Sequence, residues 1–354
     1  MWIKTLKINN FRNYSSLELN FEKGINYIQG DNGSGKTSLV EAIAFLPYFK
    51  SFRTSEEKDA IKEKEEFFRI AADTSKGKFV YVLSEKGKYI ELDDIELKKV
   101  SEIAGIINVV SFIPKDVELF KDIPLKRRRF LDINLSILDK NYLNLLSEYN
   151  SYLNNIRNLL KSEKVDELTL NILIEGLGER GFALQQKRIE FIKRLNQELL
   201  KVGRYLNGDE VELSIKYRQT NNQLEKKKYI DFIKEQVINS LKNKTGKIQI
   251  PGIHSDDFTL YYNKRNIAIY GSQGQNRISV ISLKLSLFSL IKEKFKQEPI
   301  VILDDVLSEL DENHQKKLIK LLNRIEQVFV TGTKNELKEN FTLYNVENNN
   351  VRRI

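Results

Sequence analysis

Over about the first hundred residues, apolar and polar positions alternate with a period of two. The clearest runs are "SLELNFEKG" and "KFVYVLSEKGKYIELDD", the pattern of half-buried strands, with the glycine of "EKGK" at a hairpin turn. One segment breaks the alternation. "KTSLVEAIAFL" carries Leu39, Ile43 and Leu46 at helical spacing and predicts a helix. From about Leu135 to about Thr245 the period lengthens towards 3.6. "LDKNYLNLLSEYNSYLNNIRNLLK" and "GFALQQKRIEFIKRLNQELLKVGRYL" predict long amphipathic helices there, and only "VELSIKYRQ" reads as a strand. After Pro251 strands return, then a helix from about Gln275 to Phe295, then the apolar runs "PIVILDDV" and "QVFVTGT". Both end in polar residues, as buried parallel strands do where their carboxyl ends form a site.

A helical block bracketed by sheet-like segments predicts an insertion that leaves a parent domain and returns to it. The expected division is residues 1–134 and 246–354 for the parent domain and 135–245 for a helical arm. "GIINVVSFIP" is too short to cross a bilayer and reads as a buried strand. The chain starts directly with the strand-like "WIKTLKINNF", so a cytoplasmic protein with no membrane segment is the expectation. The polar tail "NVENNNVRR" is expected to end at the surface, and there is no convincing internal repeat.

Composition narrows the chemistry. The chain has no cysteine, which excludes disulfides, thiol catalysis and thiolate metal sites and suits a reducing compartment. Two histidines, His254 and His314, leave little for a zinc centre. With 58 basic and 49 acidic side chains, the net charge of +9 favours a polyanionic partner.

"GDNGSGKT", residues 30–37, fits G-x-x-x-x-G-K-[ST] between a strand and a helix. A glycine turn can match by chance. In a true phosphate loop, Gly30, Asp31, Asn32, Gly33, Ser34, Gly35, Lys36 and Thr37 bind ATP. Backbone N–H groups from Asn32 to Lys36 wrap the phosphates, Lys36 neutralises the β and γ oxygens, and the Thr37 hydroxyl holds Mg²⁺. The metal needs a further carboxylate, and "IVILDDVLSELD" supplies Asp304 at a strand end. Asp305, beside it, is placed to orient or deprotonate an attacking water, because phosphoryl transfer asks mainly for positioning and charge. Helix capping is the alternative role for these two acids.

"SQGQ", residues Ser272, Gln273, Gly274 and Gln275, heads the helix "QNRISVISLKLSLFSLIKEKF" and presents N–H groups and a positive dipole end to an anion. Alone it reads more readily as a helix cap than as an anion site. If the local pocket is filled by the first loop, the anion is the γ-phosphate bound by another copy of the chain. That predicts a homodimer in the ATP state, with each nucleotide sandwiched between two subunits. The order of loop, "SQGQ" and carboxylate strand is that of an ABC-type ATPase.

The succession "NFRNY", "GDNGSGKTSLVEAI", "FIPKDVELFKDIPLKRRRFLD", "YLNNIRNLLK", "YGSQGQNRISVISLKLS" and "PIVILDDVLSELD" resembles the RecF family of bacterial recombination mediators, relatives of the SMC and Rad50 ATPases, over essentially the whole chain. The resemblance implies an α/β fold: an ABC-type, SMC/Rad50-like P-loop ATPase head with an inserted, mainly helical arm. It implies an ATP-dependent dimer that binds single-stranded and double-stranded DNA at gaps or junctions. Such a protein works with RecO and RecR to load recombinase and hydrolyses ATP slowly under DNA stimulation. It also implies that "SELD" at 308–311 faces the dimer partner and that Arg12 and Asn13 lie beside the nucleotide.

Three departures stand out. Asp305 is one methylene shorter than the Glu usual in SMC-type heads, which accords with slow turnover. "VTGTK" replaces the segment that in many ABC proteins carries a γ-phosphate-sensing His, so Thr331 or Thr333 substitutes or the role is absent. In "GIHSDDF", Ser255 stands where the family pattern has Arg.

His254 reads as a structural histidine and His314 as exposed. The run Lys126, Arg127, Arg128 and Arg129 is either a solvated helix start or a phosphate contact, and Lys226 to Lys228 read as ordinary surface. With no base-reading motif, DNA binding is expected to be backbone-directed and salt-sensitive. The arm is too short for an SMC coiled coil and has no Cys-x-x-Cys hook. A nuclease with an ABC head is disfavoured by the short stretch after "VTGT". A scaffold that binds ATP without turning it over is disfavoured by the presence of Lys36, Thr37, Asp304 and Asp305.

Overall fold

The computed structural model describes all residues except 48–50, 55, 99–101, 103–104, 163–164, 243–249 and 335–339. Strands β1 (Ile3–Phe11), β2 (Tyr14–Asn20) and β3 (Gly24–Gln29) precede helix α1 (Lys36–Phe45). Five strands follow: β4 (Phe67–Thr74), β5 (Gly77–Ser84), β6 (Gly87–Leu92), β7 (Ile95–Glu96) and β8 (Val109–Phe112). The middle of the chain holds α2 (Pro124–Leu138), α3 (Lys140–Leu159), α4 (Glu167–Asn207), β9 (Leu213–Arg218), α5 (Lys226–Lys242), β10 (Asp257–Tyr262), β11 (Arg265–Asn266) and α6 (Ile267–Tyr270). The last third holds α7 (Gln273–Phe295), β12 (Ile300–Leu303), α8 (Glu312–Leu322), β13 (Gln327–Gly332), β14 (Phe341–Glu347) and β15 (Asn350–Arg353). Among the described residues no helix is long and apolar enough to cross a membrane.

These elements form two compact units. The first comprises Met1–Val117, Glu198–Val211 and Gly271–Ile354; the second comprises Glu118–Gln197 and Glu212–Tyr270. Residues 118–134 and 250–270, expected in the parent domain, thus group with the helical unit, and Glu198–Val211, expected in the arm, groups with the first unit.

The first unit contains two sheets. The antiparallel one has the order β2-β1-β4-β5-β6-β7, and its alternating sequence becomes alternating burial, as in β4 and β5. The "EKGK" hairpin joins β5 to β6, with Gly87 at φ 144. The other sheet has the order β15-β14-β3-β13-β12-β8 and is parallel except for the β14–β15 pair. Every residue of β12 and β13 is buried, which explains their unbroken apolar runs. The polar tail, expected only to reach the surface, forms β15 on the edge of this sheet. Asn348 and Asn349, at φ 48 and 61, supply the left-handed turn that leads into it.

Helix α1 shares one hydrophobic core with both sheets. All its residues except Thr37 are buried, so the spacing of Leu39 and Ile43 shows only part of its apolar surface. Phe11, Phe45 and Phe68 meet edge to face, with centroids 5.1 to 6.0 Å apart, and pin the helix to the antiparallel sheet. The same burial forces a solution for Glu41, which is completely buried on α1: Arg12 and Arg53 pair with it.

The second unit combines helices with a three-stranded sheet of order β11-β10-β9. The first strand after Pro251, β10, therefore pairs with "LSIKYR" of β9 on one side and with β11 on the other. Arg188 on α4 is 1% exposed and holds the unit together. It donates to Tyr142 Oη at 2.9 Å, Ile253 O at 2.7 Å and Asp132 Oδ1 at 2.6 Å. A buried guanidinium persists only with such complete pairing.

Candidate nucleotide site

The loop from Gly30 to Gly35 runs from the carboxyl end of β3 into α1. Its glycines answer to contacts. A Cβ on Gly30 would lie 2.4 Å from Val346 O, and one on Gly35, at φ 116, would lie 2.7 Å from Tyr14 Oη. Two further groups brace the loop: Tyr14 Oη donates to Gly35 O at 3.1 Å, and the Asn349 N–H donates to Ser34 O at 3.2 Å. The sequence pattern assigns neither Tyr14 nor Asn349 a role at this loop. A hairpin-forming "NNN" in the tail is the signal that points to the second.

Gly35 takes the cap position of α1 and offers no side chain, so the first-turn N–H groups are uncapped. Lys36 Nζ donates to Gly30 O at 2.7 Å and to Asp31 O at 2.9 Å, which holds a positive charge across the loop. Ser34 Oγ is buried without a partner. An uncapped helix start, a cation and an orphaned hydroxyl on one glycine loop fit a chain of phosphates. Asp31, Asn32 and Gly33 form its exposed rim.

Asp304 follows β12, and its Oδ1 accepts from Thr37 Oγ1 at 3.1 Å and from Thr331 Oγ1 at 2.8 Å. Burial raises its pKa, a tendency that the Thr331 hydrogen bond opposes. Among the described residues no cluster of three or more acidic or histidine side chains could hold a metal. Thr37 and Asp304 fit Mg²⁺, which keeps several waters and phosphate oxygens and needs few protein ligands. Asp305 is half-buried in the left-handed region, φ 50, and its N–H donates to Thr331 Oγ1 at 2.9 Å.

Ser272 caps α7. Its Oγ accepts from Gln275 N at 3.2 Å, and Gln275 Oε1 accepts from Ser272 N at 3.0 Å, a reciprocal capping box. The cap reading of "SQGQ" is therefore true, and it leaves an exposed turn. Ser272, Gln273 and Gly274 are exposed, and nothing lies within 4 Å of a Cβ placed on Gly274. Arg277, one turn on, donates to Glu309 O at 2.8 Å and pairs with its carboxylate at 2.6 Å, tying α7 to the "SELD" segment. Asp311 caps α8 by accepting from Asn313 N and His314 N, both at 3.1 Å, and His314 bonds back to it.

Arg12 sits at φ 52 between β1 and β2, and its guanidinium is taken up by protein groups: Glu41, Asp59 O at 2.6 Å, Ser51 and Thr54. Asn13 is exposed. Within the second unit the basic run splits. Arg127 is buried in a two-point pair with Asp257 at 2.7 and 2.9 Å, and Arg128 donates to Asp256 O at 3.0 Å. Arg129 is exposed, and Lys126 pairs with Asp122. His254 bonds to Tyr149 Oη at 2.6 Å, a structural contact. Ser255 is exposed between these residues.

The profile described as "RecF/RecN/SMC N terminal domain" matches residues 2–106. A "DNA replication and repair protein RecF" of Bacillus cereus (strain G9842) is 37% identical over 356 residues, 97% of this chain and 95% of the relative. The protein of the same description from Clostridioides difficile (strain 630) is 34% identical over 367 residues, 99% of this chain and 98% of the relative. A solved structure of the recombination mediator protein RecF-ATP in the RecFOR pathway has a TM-score of 0.90 and 30% identity, covering 100% of this chain and 97% of that one. An SmcHead bound to the C-winged helix domain of ScpA matches at TM-score 0.56 and 16% identity, a likeness of fold alone.

Proposed function

Because the chain belongs to the RecF family, with its SMC-like ABC ATPase fold, we propose that it is an ATP-switched DNA-binding protein of replication and recombinational repair. Two copies close around two ATP molecules. In each site the backbone N–H groups of Asn32 to Lys36 and the Lys36 ammonium bind and neutralise the phosphates. Thr37 and Asp304 hold Mg²⁺, which when bound supplies charge neutralisation at the phosphoryl oxygens. Ser272 to Gln275 of the second copy complete the site at the γ-phosphate, and Asp305 orients the attacking water. Hydrolysis is slow and DNA-stimulated, and it times release rather than driving movement.

The closed dimer grips DNA at gaps or junctions through phosphates, in keeping with the +9 charge and the absence of a base-reading motif. RecR and RecO are its partners in loading recombinase, and it works in the cytoplasm. One observation carries the reading: the Ser272–Gln275 turn is fully formed, exposed and open above Gly274, while the phosphate loop is uncapped. Each feature supplies what the other lacks. Sedimentation with and without ATP and a gapped duplex tests the proposal. A dimer that forms on DNA only with ATP supports it, and an ATP-indifferent monomer refutes it.

A further inference from the structure

We infer that Thr331 is a positioning residue whose single hydroxyl sets both carboxylate-bearing residues of the site, an inference that rests on the ATPase reading above. Strands β12 and β13 pair in parallel with Leu303 opposite Val330, so Asp304 and Thr331 are the next residues on neighbouring strands. Thr331 is 1% exposed at the end of an entirely buried strand, where valine would fill the same volume with no polar atom to satisfy. Its hydroxyl is used twice. The proton goes to Asp304 Oδ1 at 2.8 Å, and a lone pair receives the Asp305 N–H at 2.9 Å. Only one arrangement of the O–H satisfies both, so the carboxylate and the amide are fixed relative to each other.

Asp305 most needs such a hold. Its backbone lies in the left-handed region, which is unfavourable for a non-glycine residue, and the bond to Thr331 anchors its N–H there. On Asp304, Thr37 donates to the same Oδ1 at 3.1 Å, so both hydroxyls engage one oxygen and the carboxylate cannot rotate without losing both. With its proton committed to Asp304, Thr331 is not a free donor for a γ-phosphate. Its part is to aim Asp304 and Asp305, which leaves direct sensing to the exposed Thr333 or to no residue of "VTGTK".

The test compares Thr331→Val, isosteric and without the hydroxyl, with Thr331→Ser, which keeps it. Three quantities are read: ATP affinity in a chelator, the tightening of that affinity by Mg²⁺, and turnover. In Thr331→Val the metal-free affinity stays within about 3-fold of wild type, the Mg²⁺-dependent tightening is lost, and turnover falls about 10- to 100-fold. Thr331→Ser recovers both metal linkage and turnover. Wild-type metal linkage and turnover in Thr331→Val overturn the inference, as does a serine variant as impaired as the valine one. If wild-type protein binds ATP with no response to Mg²⁺ and does not hydrolyse it, the ATPase reading itself falls and takes the inference with it.

Discussion

Arg12 closes on the wholly buried Glu41 with Nη2 to Oε1 at 2.6 Å and Nε to Oε2 at 3.1 Å, joining the β1–β2 turn to the helix that follows the phosphate loop. An unpaired carboxylate inside α1 would be very costly, so the first role of Arg12 is to neutralise it. Arg12→Ala leaves Glu41 only Ser51 and the longer Arg53 contact at 3.5 Å, and is expected to destabilise the protein by about 2 kcal/mol in urea unfolding. The double variant Arg12→Met with Glu41→Leu should recover most of that loss. Nucleotide affinity in the double variant separates the roles: a normal value assigns Arg12 to α1, and a strong drop assigns it to the nucleotide as well.

The phosphate loop makes a sharper prediction. Lys36→Ala leaves the fold intact, because Nζ touches only loop carbonyls, and abolishes ATP binding measured by equilibrium dialysis. Gly35→Ala should lose both folding stability and ATP binding, because the left-handed backbone and the Tyr14 hydroxyl leave no place for a methyl.

Asp305→Asn keeps a residue type that tolerates the left-handed region and removes the negative charge. Single-turnover hydrolysis should slow by about two orders of magnitude or more, and the ATP-bound dimer should persist longer in sedimentation. Wild-type hydrolysis in this variant would remove Asp305 from the reaction.

His254 sets an acid limit on stability. Burial, reinforced by Arg157 and Arg128, lowers its pKa from 6.5 to about 4. Between those values the unfolded chain binds the proton and the folded one does not. Stability is therefore complete above pH 6.5 and falls towards pH 4, by about 3 kcal/mol in total. Urea midpoints at pH 5 and pH 7 should differ by less in His254→Gln than in wild type.

The parts of this site that are local in the chain were legible in its sequence. The glycine loop is a run of eight residues, the Ser272 cap needs only Gln275 three positions on, and β12 and β13 announce themselves as unbroken apolar runs. What could not be read depends on distant pairing. Arg127 looks like part of a basic run until Asp257, 130 residues away, buries it, and the strand after Pro251 shows no sign that β9 is its neighbour. Thr331 belongs to the same class. "VTGT" displays a hydroxyl at a strand end, but only the β12–β13 register discloses that Asp304 and Asp305 use it from both sides.

The central claim is that each ATP site is built from two chains, and mixing two defective variants tests it most directly. Lys36→Ala lacks the glycine loop's cation, and Ser272→Arg blocks the Ser272–Gln275 turn. Neither should hydrolyse ATP alone, and Ser272→Arg should still bind it. A mixed dimer contains one site with an intact loop from the Ser272→Arg chain and an intact turn from the Lys36→Ala chain, so hydrolysis should reappear on mixing. A mixture that remains inactive although the Ser272→Arg chain binds ATP, or a Ser272→Arg chain that hydrolyses ATP normally on its own, would contradict the account.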